Sequence, residues 1–491
     1  MTEVSALPAR HPRGLYTLFF TEMWERMSFY GMRALLVLFM TDQISSGGMG
    51  LTEKMANAVY GLYTAGVYLS ALPGGWVADR LLGAQRAVWI GGWLIAAGHF
   101  TLSIRSTTAF FLGLMLVVLG TGLLKPNISA MVGRLYPEGG ARRDSGFTLF
   151  YMGINIGAFL GPLVCSALGE KVNWHYGFAA AGVGMVAGLI TFHFTRGNLG
   201  DADRAPEQSS PSPTLDWSII GLVLAGLVAA FALVAAGVIQ INPVLLGQYT
   251  VWLIAAMAVL YFVWVLGFGD LDSIEKKRVI VIAVLFLASA MFWSGFEQVG
   301  SSLNLFARDY TQRYLAWFSW EFPAGWLQSV NALFVILLAP VIAALWLWLA
   351  KREIAPSLPV KFAWGLLLLA AGFLVMVGAS ERALSAGKVW PTWLIATYLL
   401  HTIGELCLSP VGLSSVTKLA PPRLVGQMMG VWFLGTALGN LVAGLFAGEV
   451  TGDNVAAMPS RFLQVVMTAG GAGLLLLVCS KPIRKLMGGV N

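Results

Sequence analysis

The sequence predicts an all-α polytopic membrane protein with about fourteen transmembrane helices. Of its 491 residues, 57% are hydrophobic and 11% are charged, and the mean hydropathy is +0.74. A soluble domain carries roughly a quarter charged residues, so a chain this apolar has too little polar surface to cover itself in water. Apolar segments of roughly twenty residues, which cross a hydrocarbon core of about 30 Å, recur along the whole chain.

The candidate spans are separated by breaks that contain Gly, Pro and charged residues, as expected of loops. They lie near residues 15–41, 55–78, 87–104, 108–126, 147–168, 176–196, 216–238, 246–268, 279–299, 327–350, 362–379, 391–411, 427–448 and 462–480.

The distribution of Lys and Arg predicts that both termini are cytoplasmic. With the N-terminus inside, the inner segments hold about twenty of these residues and the outer loops about eight, a bias typical of cytoplasmic loops. The same bias explains the formal net charge of +7, so we expect no nucleic-acid partner. The polar N-terminal stretch lacks the apolar core of a cleaved signal peptide. We expect an inner-membrane protein in direct contact with the lipid bilayer.

The spans are organised as six, two and six. We predict a cytoplasmic N-terminus (1–14), a six-helix bundle (15–196), a polar cytoplasmic linker rich in Pro and Ser (197–215), an extra helix pair (216–268), a second six-helix bundle (279–480) and a cytoplasmic C-terminus (481–491). The extra pair is so apolar that we expect it to face lipid. Two six-helix halves resemble the major facilitator superfamily fold, in which the halves are related by an axis along the membrane normal.

The segment after the second span supports this fold. It runs from Gly74 to Arg86 as GGWVADRLLGAQR, and it resembles the superfamily's loop of Gly, Asp-Arg, Gly and Arg between the second and third helices. A Gly-rich basic segment could equally be an ordinary cytoplasmic turn.

Ionisable groups inside spans are costly and usually functional, and the first span carries four of them. Glu22, Glu25 and Arg26 are spaced so that they share one helical face. Arg33 lies eleven residues after Glu22 and returns to nearly the same face, with Tyr30 close by. This polar stripe must line a hydrated cavity or pair with other helices.

Three further ionisable residues fall within or at the ends of spans: Lys125 at the end of the fourth, Glu297 late in the seventh and Glu405 in the tenth of the twelve core spans. Lys125 could instead be an interfacial lysine whose amine reaches water, and Glu405 could be a structural acid. Asn155 and Asn331 add uncharged polar groups, each of which could be structural.

The two halves differ in the sign of their buried charges. The N-terminal half carries three bases with Glu22 and Glu25, whereas the C-terminal half offers Glu297 and Glu405 without a deep base. A cavity between the halves would be basic on one wall and acidic on the other. Such a dipolar site suits a zwitterion better than a neutral sugar or a simple anion.

These residues resemble the proton-coupled oligopeptide transporter family over nearly the whole chain. The family's first-helix motif, Glu-x-x-Glu-Arg-Phe-x-Tyr-Tyr-Gly, reads EMWERMSFYG from Glu22 to Gly31, and its fifth-helix motif reads FYMGINIG from Phe150 to Gly157. The tenth-helix motif reads GELCLSPVGLS from Gly404 to Ser414. Met27 and Phe29 depart from the first motif, and Phe29 lacks the hydroxyl of the family's tyrosine. The extra helix pair is also found in bacterial members.

The resemblance implies a role for each site residue. Arg26, Arg33 and Lys125 would receive the carboxylate of a peptide, and Glu405 its amino terminus. The peptide backbone would be held by Tyr30, Tyr68, Asn155 and Asn331, and side-chain pockets would be shaped by Trp293, Ser409, Trp432 and Thr436. The partners would be di- and tripeptides and protons, and the protein would be a monomer without metal or cofactor.

Coupling would rest on carboxylates. Some relatives carry a second-helix His at the position of Gly61, and His401 is not assigned this role. We expect Glu297 to form a gating salt bridge with Arg33 or Lys125 in one state, because an acid that loses a basic partner gains its proton more readily. Glu22 and Glu25 would form a second protonation site with Arg26.

Two other classes of function compete with this one. The same fold could carry another small charged solute, such as nitrate, a drug or a peptide-like compound, or could export it. An enzyme or scaffold is disfavoured, because the sequence lacks the HExxH, GxSxG and GxxxxGK[ST] patterns. Cys165, Cys407 and Cys479 show no metal or redox spacing.

Overall fold

Fourteen long helices make up most of the protein. The structure is a computed structural model that describes residues 10–137, 140–200, 212–450 and 455–489. The helices of 19 residues or more within these ranges are α1 (Arg13–Thr41), α2 (Glu53–Val77), α3 (Ala84–Leu102), α4 (Thr107–Arg134), α5 (Gly140–Lys171), α6 (Trp174–Thr195), α7 (Pro213–Ala235), α8 (Pro243–Phe268), α9 (Ser273–Phe296), α11 (Ser329–Lys351), α12 (Leu358–Ala386), α13 (Thr392–Leu419), α14 (Val425–Val450) and α15 (Met458–Val478). Two short helices, α10 (Ser302–Asp309) and α16 (Ser480–Leu486), complete the set.

Eleven described helices, counting short continuations at their ends, are long and apolar enough to cross a membrane. The other three long helices, α1 to α3, have 29, 25 and 19 residues. Even the shortest is roughly 28 Å long at 1.5 Å per residue. The predicted fold class of a polytopic all-α membrane protein is therefore confirmed. Of the predicted terminal and linker segments, residues 1–9, 201–211 and 490–491 lie outside the described residues.

One predicted span end and one predicted loop are wrong because helices continue through residues that usually end them. Helix α4 runs through Pro126 to Arg134, so Lys125 lies inside the helix and not at its end. A proline costs a helix one hydrogen bond and introduces strain, which packing against neighbouring helices can offset. The predicted loop after the second span is also mostly helical: α2 ends at Val77, a wide helical turn covers Ala78–Leu82, and the chain turns at Gly83.

The seventh core span is a broken helix. Helix α9 ends at Phe296, a 3-10 turn covers Glu297–Gly300, and α10 begins at Ser302. The chain then forms a two-stranded antiparallel hairpin of β1 (Tyr314–Leu315) and β2 (Trp320–Glu321) before α11. The break places the backbone around Glu297 outside regular helix, deep within the bundle.

The helix pair α7–α8 is peripheral. Asp216 is the one buried residue of α7, whereas α8 packs one side against α2 and α14. Helix α7 therefore presents an apolar surface all round, which suits a helix surrounded by lipid.

Contacts between the two halves concentrate at the end of the bundle opposite to Arg13, which we call the far face; the end near Arg13 is the near face. At the far face Lys54 Nζ lies 2.8 Å from Glu449 Oε1, and Arg308 Nη1 donates to Thr41 Oγ1 at 2.7 Å. Glu170 of α5 accepts hydrogen bonds from the backbone N–H groups of Ala324 and Gly325, at 2.7 and 2.9 Å. The far face is therefore closed by bonds across the interface.

Helices α2 and α14, one from each half, touch through glycine. A Cβ atom built on Gly444 would lie 2.5 Å from the Asn57 carbonyl oxygen and 2.6 Å from Gly61 Cα. Both contacts are to backbone, which cannot move aside as a flexible side chain can. At Gly61 itself a Cβ atom would lie 3.1 Å from Gly444 Cα and from the Leu441 carbonyl oxygen, so a side chain there would require α14 to shift.

Candidate functional site

A cavity of about 320 Å³ lies between the two halves. Its wall carries polar, charged and aromatic side chains from both bundles. Eleven of the twelve residues predicted to bind peptide line it, namely Tyr30, Arg33, Tyr68, Lys125, Asn155, Trp293, Asn331, Glu405, Ser409, Trp432 and Thr436, together with Glu297. The fold thus gathers residues from eight helices around one chamber.

An ion pair crosses this chamber at its far-face end. Arg33 Nη2 of α1 lies 2.8 Å from Glu297 Oε2, at the break after α9, and both side chains are buried. The pairing of Glu297 with a base of the other half was an expectation from sequence, and the structure selects Arg33 over Lys125. Desolvating two charges is costly unless they are paired, so this contact holds the halves together while it lasts.

Tyr60 is a member of this pair's network that sequence reasoning missed. Its hydroxyl accepts a hydrogen bond from Arg33 Nε at 2.7 Å and lies 3.5 Å from the backbone oxygen of Glu297, to which it donates. A Cβ atom on Gly300 would come within 2.1 Å of this hydroxyl. Tyr60 therefore links α1, α2 and the helix break, and the adjacent Gly300 makes the space for it.

Lys125 lies apart from the carboxylates. Its Nζ sits 4.2 Å from the centroid of the Tyr68 ring, a cation–π distance, and no described carboxylate lies within salt-bridge distance of it. Of the two bases expected as alternative partners of Glu297, Lys125 is therefore the one that is not paired with it in this conformation. Its ammonium group faces the chamber without an anionic partner among the described residues.

Glu405 supplies the opposite charge on the other wall. Asn331 Nδ2 donates to Thr402 Oγ1 at 2.9 Å and approaches Glu405 Oε2 at 3.4 Å. No described base lies within salt-bridge distance of this carboxylate. The chamber thus presents one cation, Lys125, and one anion, Glu405, on opposing halves, each without a counter-charge from the described chain.

Aromatic side chains form much of the remaining wall. Trp293 packs its ring edge-on against Phe296, with centroids 5.3 Å apart, and Trp432 packs against Phe362 at 6.2 Å. Among the lining residues with polar side-chain groups, two were absent from the predicted site, Tyr151 and Gln328. Tyr151 stands in the fifth-helix motif one turn before Asn155, and this spacing could have placed it in the site.

Arg26 does not reach the chamber, which corrects the prediction that it receives the carboxylate of a peptide. Its guanidinium Nε lies 3.0 Å from Glu22 Oε1 and is also hydrogen-bonded to Glu25. All three side chains are buried. Two acids about one turn apart pair with this base within α1, so it belongs to a separate carboxylate cluster beside the chamber.

The chamber continues toward the near face. A second cavity of about 460 Å³ lies between α5, α11 and α13 and shares Tyr151 and Asn155 with the first. Its other lining residues come from the near-face portions of these helices, such as Phe147 and Pro410. This second cavity, which we call the near-face passage, extends from Tyr151 and Asn155 toward the side of the membrane on which α1 begins.

Two helical bundles that enclose a charged chamber, closed at one face and continuous with the other, define a secondary transporter with the major facilitator type of fold. A sequence model described as PTR2, POT family, matches residues 85–459. A protein named peptide transporter YePEPT, from Yersinia enterocolitica, is 46% identical, with 97% of this chain and 95% of that one covered. A di-/tripeptide transporter from Lactococcus lactis is 36% identical over 98% and 97% of the two chains.

Solved structures agree in fold. A crystal structure of peptide transporter POT in complex with sulfate superposes with a TM-score of 0.91 at 41% identity, covering 99% of this chain and 98% of that one. Another, of a POT family transporter in complex with 5-aminolevulinic acid, gives 0.87 at 35% identity over 96% and 97%. This chain belongs to the POT family and is a membrane transporter, not an enzyme.

Proposed function

We propose that this chain is a proton-coupled symporter that imports di- and tripeptides by alternating access. The observation that carries the proposal is the pair of unneutralised charges, Lys125 and Glu405, on opposing walls of one chamber. A short peptide carries a carboxylate and an ammonium group several Å apart, and binding it would neutralise both wall charges at once. The relatives named peptide transporter and di-/tripeptide transporter support the same cargo.

Broad specificity follows if the two charged ends of the peptide are bound at fixed positions and its side chains are bound loosely. Asn155 and Asn331 can hydrogen-bond the peptide backbone, while Trp293 and Trp432 provide rigid apolar surfaces for variable side chains. A chamber of about 320 Å³ is at the small end of ligand sites, which fits two or three residues and not a long peptide.

Coupling to protons is assigned to Glu297. Protonation removes its charge, so its attraction to Arg33 is lost and the far face is released. A peptide carboxylate that takes over Arg33 would have the same effect. The cluster of Glu22, Glu25 and Arg26 is assigned as a second protonation site, because these buried acids share one base.

We assign the protein to the inner membrane as a monomer with both termini cytoplasmic. In that orientation the near face is cytoplasmic, and the conformation described here is open inward. Alternating access then requires a second conformation in which the near-face passage closes and the far-face bonds break.

The test uses the purified protein in liposomes with an imposed pH gradient. Labelled dialanine should accumulate against its gradient when the outside is acidic, and unlabelled dipeptides, but not free amino acids or nitrate, should compete. Uptake that does not depend on the pH gradient would refute proton coupling. Competition by nitrate or free amino acids would refute the assignment of peptides as the substrate.

End-modified peptides test the assignment of the two charges. The wild-type protein should bind dialanine better than either its C-terminal amide or its N-acetyl form. Lys125→Gln should bind dialanine and its C-terminal amide equally well, because this variant lacks the positive charge that binds the carboxylate. Glu405→Gln should bind dialanine and its N-acetyl form equally well, because it lacks the negative charge that binds the amino terminus. Lys388→Gln, an exposed far-face lysine, serves as the control and should keep both preferences.

A further inference from the structure

A groove on the lipid-facing surface, away from the chamber, has the features of a second binding site. It lies between α11, α12 and α13 and has a volume of about 370 Å³. Its walls are apolar and include Leu345, Trp346, Trp364, Leu367, Ile403 and Cys407. The rings of Trp346 and Trp364 are stacked with centroids 6.1 Å apart. These two rings give the groove a rigid wall rather than the mobile aliphatic surface typical of lipid contact.

A cation stands at the near-face rim of this groove. Lys361, in the first turn of α12, places its Nζ 4.8 Å from the centroid of the Trp346 ring. Within the described ranges, no carboxylate lies within salt-bridge distance of Lys361. Lys418, near the end of α13, is close enough to interact electrostatically with it. Two lysines from neighbouring helices thus contribute positive charge near this rim.

The rim also carries a hydrogen-bond donor without an acceptor. The indole Nε1 of Trp346 is shielded from solvent and has no hydrogen-bond partner among the described residues. Buried polar groups are normally paired, so an orphaned donor needs an explanation. Here it belongs to the ring over which the Lys361 ammonium sits, and because it is shielded in this conformation, an acceptor at the rim could reach it only after the ring shifts.

We infer that this groove is a binding site for one anionic phospholipid. An acyl chain would fill the apolar groove, and the phosphate would accept from Lys361 and, once the ring shifts, from the Trp346 indole. Paired basic residues between helices on the near-face side favour an anionic headgroup over a zwitterionic one.

The inference stands independently of the transported cargo. The groove shares Trp346 and Ile342 with the near-face passage but none of the charged residues of the chamber. Lipid binding can therefore be tested in variants whose chamber is intact.

The experiment is native mass spectrometry of the full-length protein in detergent, titrated with dioleoyl-phosphatidylglycerol or dioleoyl-phosphatidylcholine. The wild-type protein should bind one phosphatidylglycerol more tightly than the next, and more tightly than phosphatidylcholine. Lys361→Gln should weaken the first phosphatidylglycerol about fivefold, the effect of roughly one lysine near a membrane surface, whereas Lys361→Arg should retain it. Trp364→Leu should weaken both lipids by removing one wall of the groove.

Lys276→Gln is the matched control, since Lys276 is an exposed near-face lysine at the start of α9. An equal loss in this control would show diffuse attraction to a basic surface and would overturn the site. So would equal binding of the two lipids, unchanged binding in Lys361→Gln, or a co-purified polypeptide in place of lipid. If Lys361→Gln is not monodisperse, Lys418→Gln carries the same test with a smaller expected loss.

Discussion

At the scale of single residues, the contact between Arg33 and Glu297 concentrates the proposed coupling in one carboxyl group. Glu297→Gln keeps the size and hydrogen-bonding capacity of the side chain but cannot exchange a proton. We expect proton-driven accumulation of dialanine to fall to background, while exchange of labelled for unlabelled peptide continues, as measured in liposomes. Glu449→Gln, which disrupts a half-exposed far-face ion pair, should behave as wild type, because such pairs contribute about 0–1 kcal/mol. Full uphill uptake by Glu297→Gln would refute the assignment.

The Tyr60 hydroxyl offers a second test at this scale. Tyr60→Phe leaves the buried Arg33 Nε without its acceptor, and a hydrogen bond to a charged group contributes roughly 1.5–3 kcal/mol. We expect the rate of proton-driven uptake to fall about tenfold or more.

Tyr63→Phe is the matched control for this change. Tyr63 lies one turn along α2, is also buried, and its hydroxyl has no hydrogen-bond partner among the described residues. Its loss should change the rate by less than about twofold, within the usual range for an unbonded group. Equal losses in the two variants would mean that Tyr60 acts through packing alone.

Charged residues of the site could be predicted from sequence, whereas Tyr60 and the fate of Arg26 could not. A charge within an apolar span is so costly that its presence alone indicates a cavity or a partner. A tyrosine in a span carries no such signal, because its ring is apolar and only its hydroxyl needs a partner. Whether a base reaches the chamber depends on the rotation of its helix and on nearby acids. Arg33 and Lys125 line the chamber, whereas Arg26 pairs with two acids of its own helix.

At the scale of helices, the contact of α2 with α14 depends on glycine. Gly444→Ala places a methyl group against backbone atoms of α2, and overpacking of this kind costs about 1–3 kcal/mol. We expect a lower unfolding temperature and slower uptake. Gly426→Ala in the same helix, where a Cβ meets no atom within 4 Å, should leave the unfolding temperature unchanged or raise it, because alanine favours helix. A similar decrease in the unfolding temperature of both variants would argue against the close contact of α2 with α14.

The existence and approximate position of each helix could be predicted from the length of its apolar segment, but the residues at which helices end could not. Pro126 and the pair Gly74–Gly75 are usual breakers, yet α4 and α2 continue through them. Within a bundle, neighbouring helices and the absence of competing water make it costly to leave helical hydrogen bonds unmade. The break after Phe296 shows the reverse: nothing in its local sequence except Gly295 and Gly300 distinguishes it.

At the scale of the whole molecule, the far-face bonds set the balance between the two conformations. Glu170 accepts from two backbone N–H groups of the other half, and charge-assisted bonds of this kind contribute roughly 1.5–3 kcal/mol. Glu170→Ala should therefore shift the population toward far-face opening by about tenfold or more. Electron–electron distance measurements between spin labels at Ile44 and Trp390, both exposed at the far face, would detect it in a variant without the three native cysteines.

The control for this shift is Glu381→Ala, which removes an exposed acid near the far-face end of α12. The label distances should be unchanged in that variant. A distribution in Glu170→Ala that matches both the control and the wild type would show that the far face is held by other contacts.

The interruption between α9 and α10 has a consequence for the order of events during a transport cycle. Because a 3-10 turn replaces regular α-helical hydrogen bonding from Glu297 to Gly300, the eight-residue α10 can tilt relative to the 24-residue α9. A protonation event at the junction can then move the short outer arm first and the long inner arm afterwards. Such staging implies an occluded intermediate, in which cargo is sealed from both compartments before either opens to it.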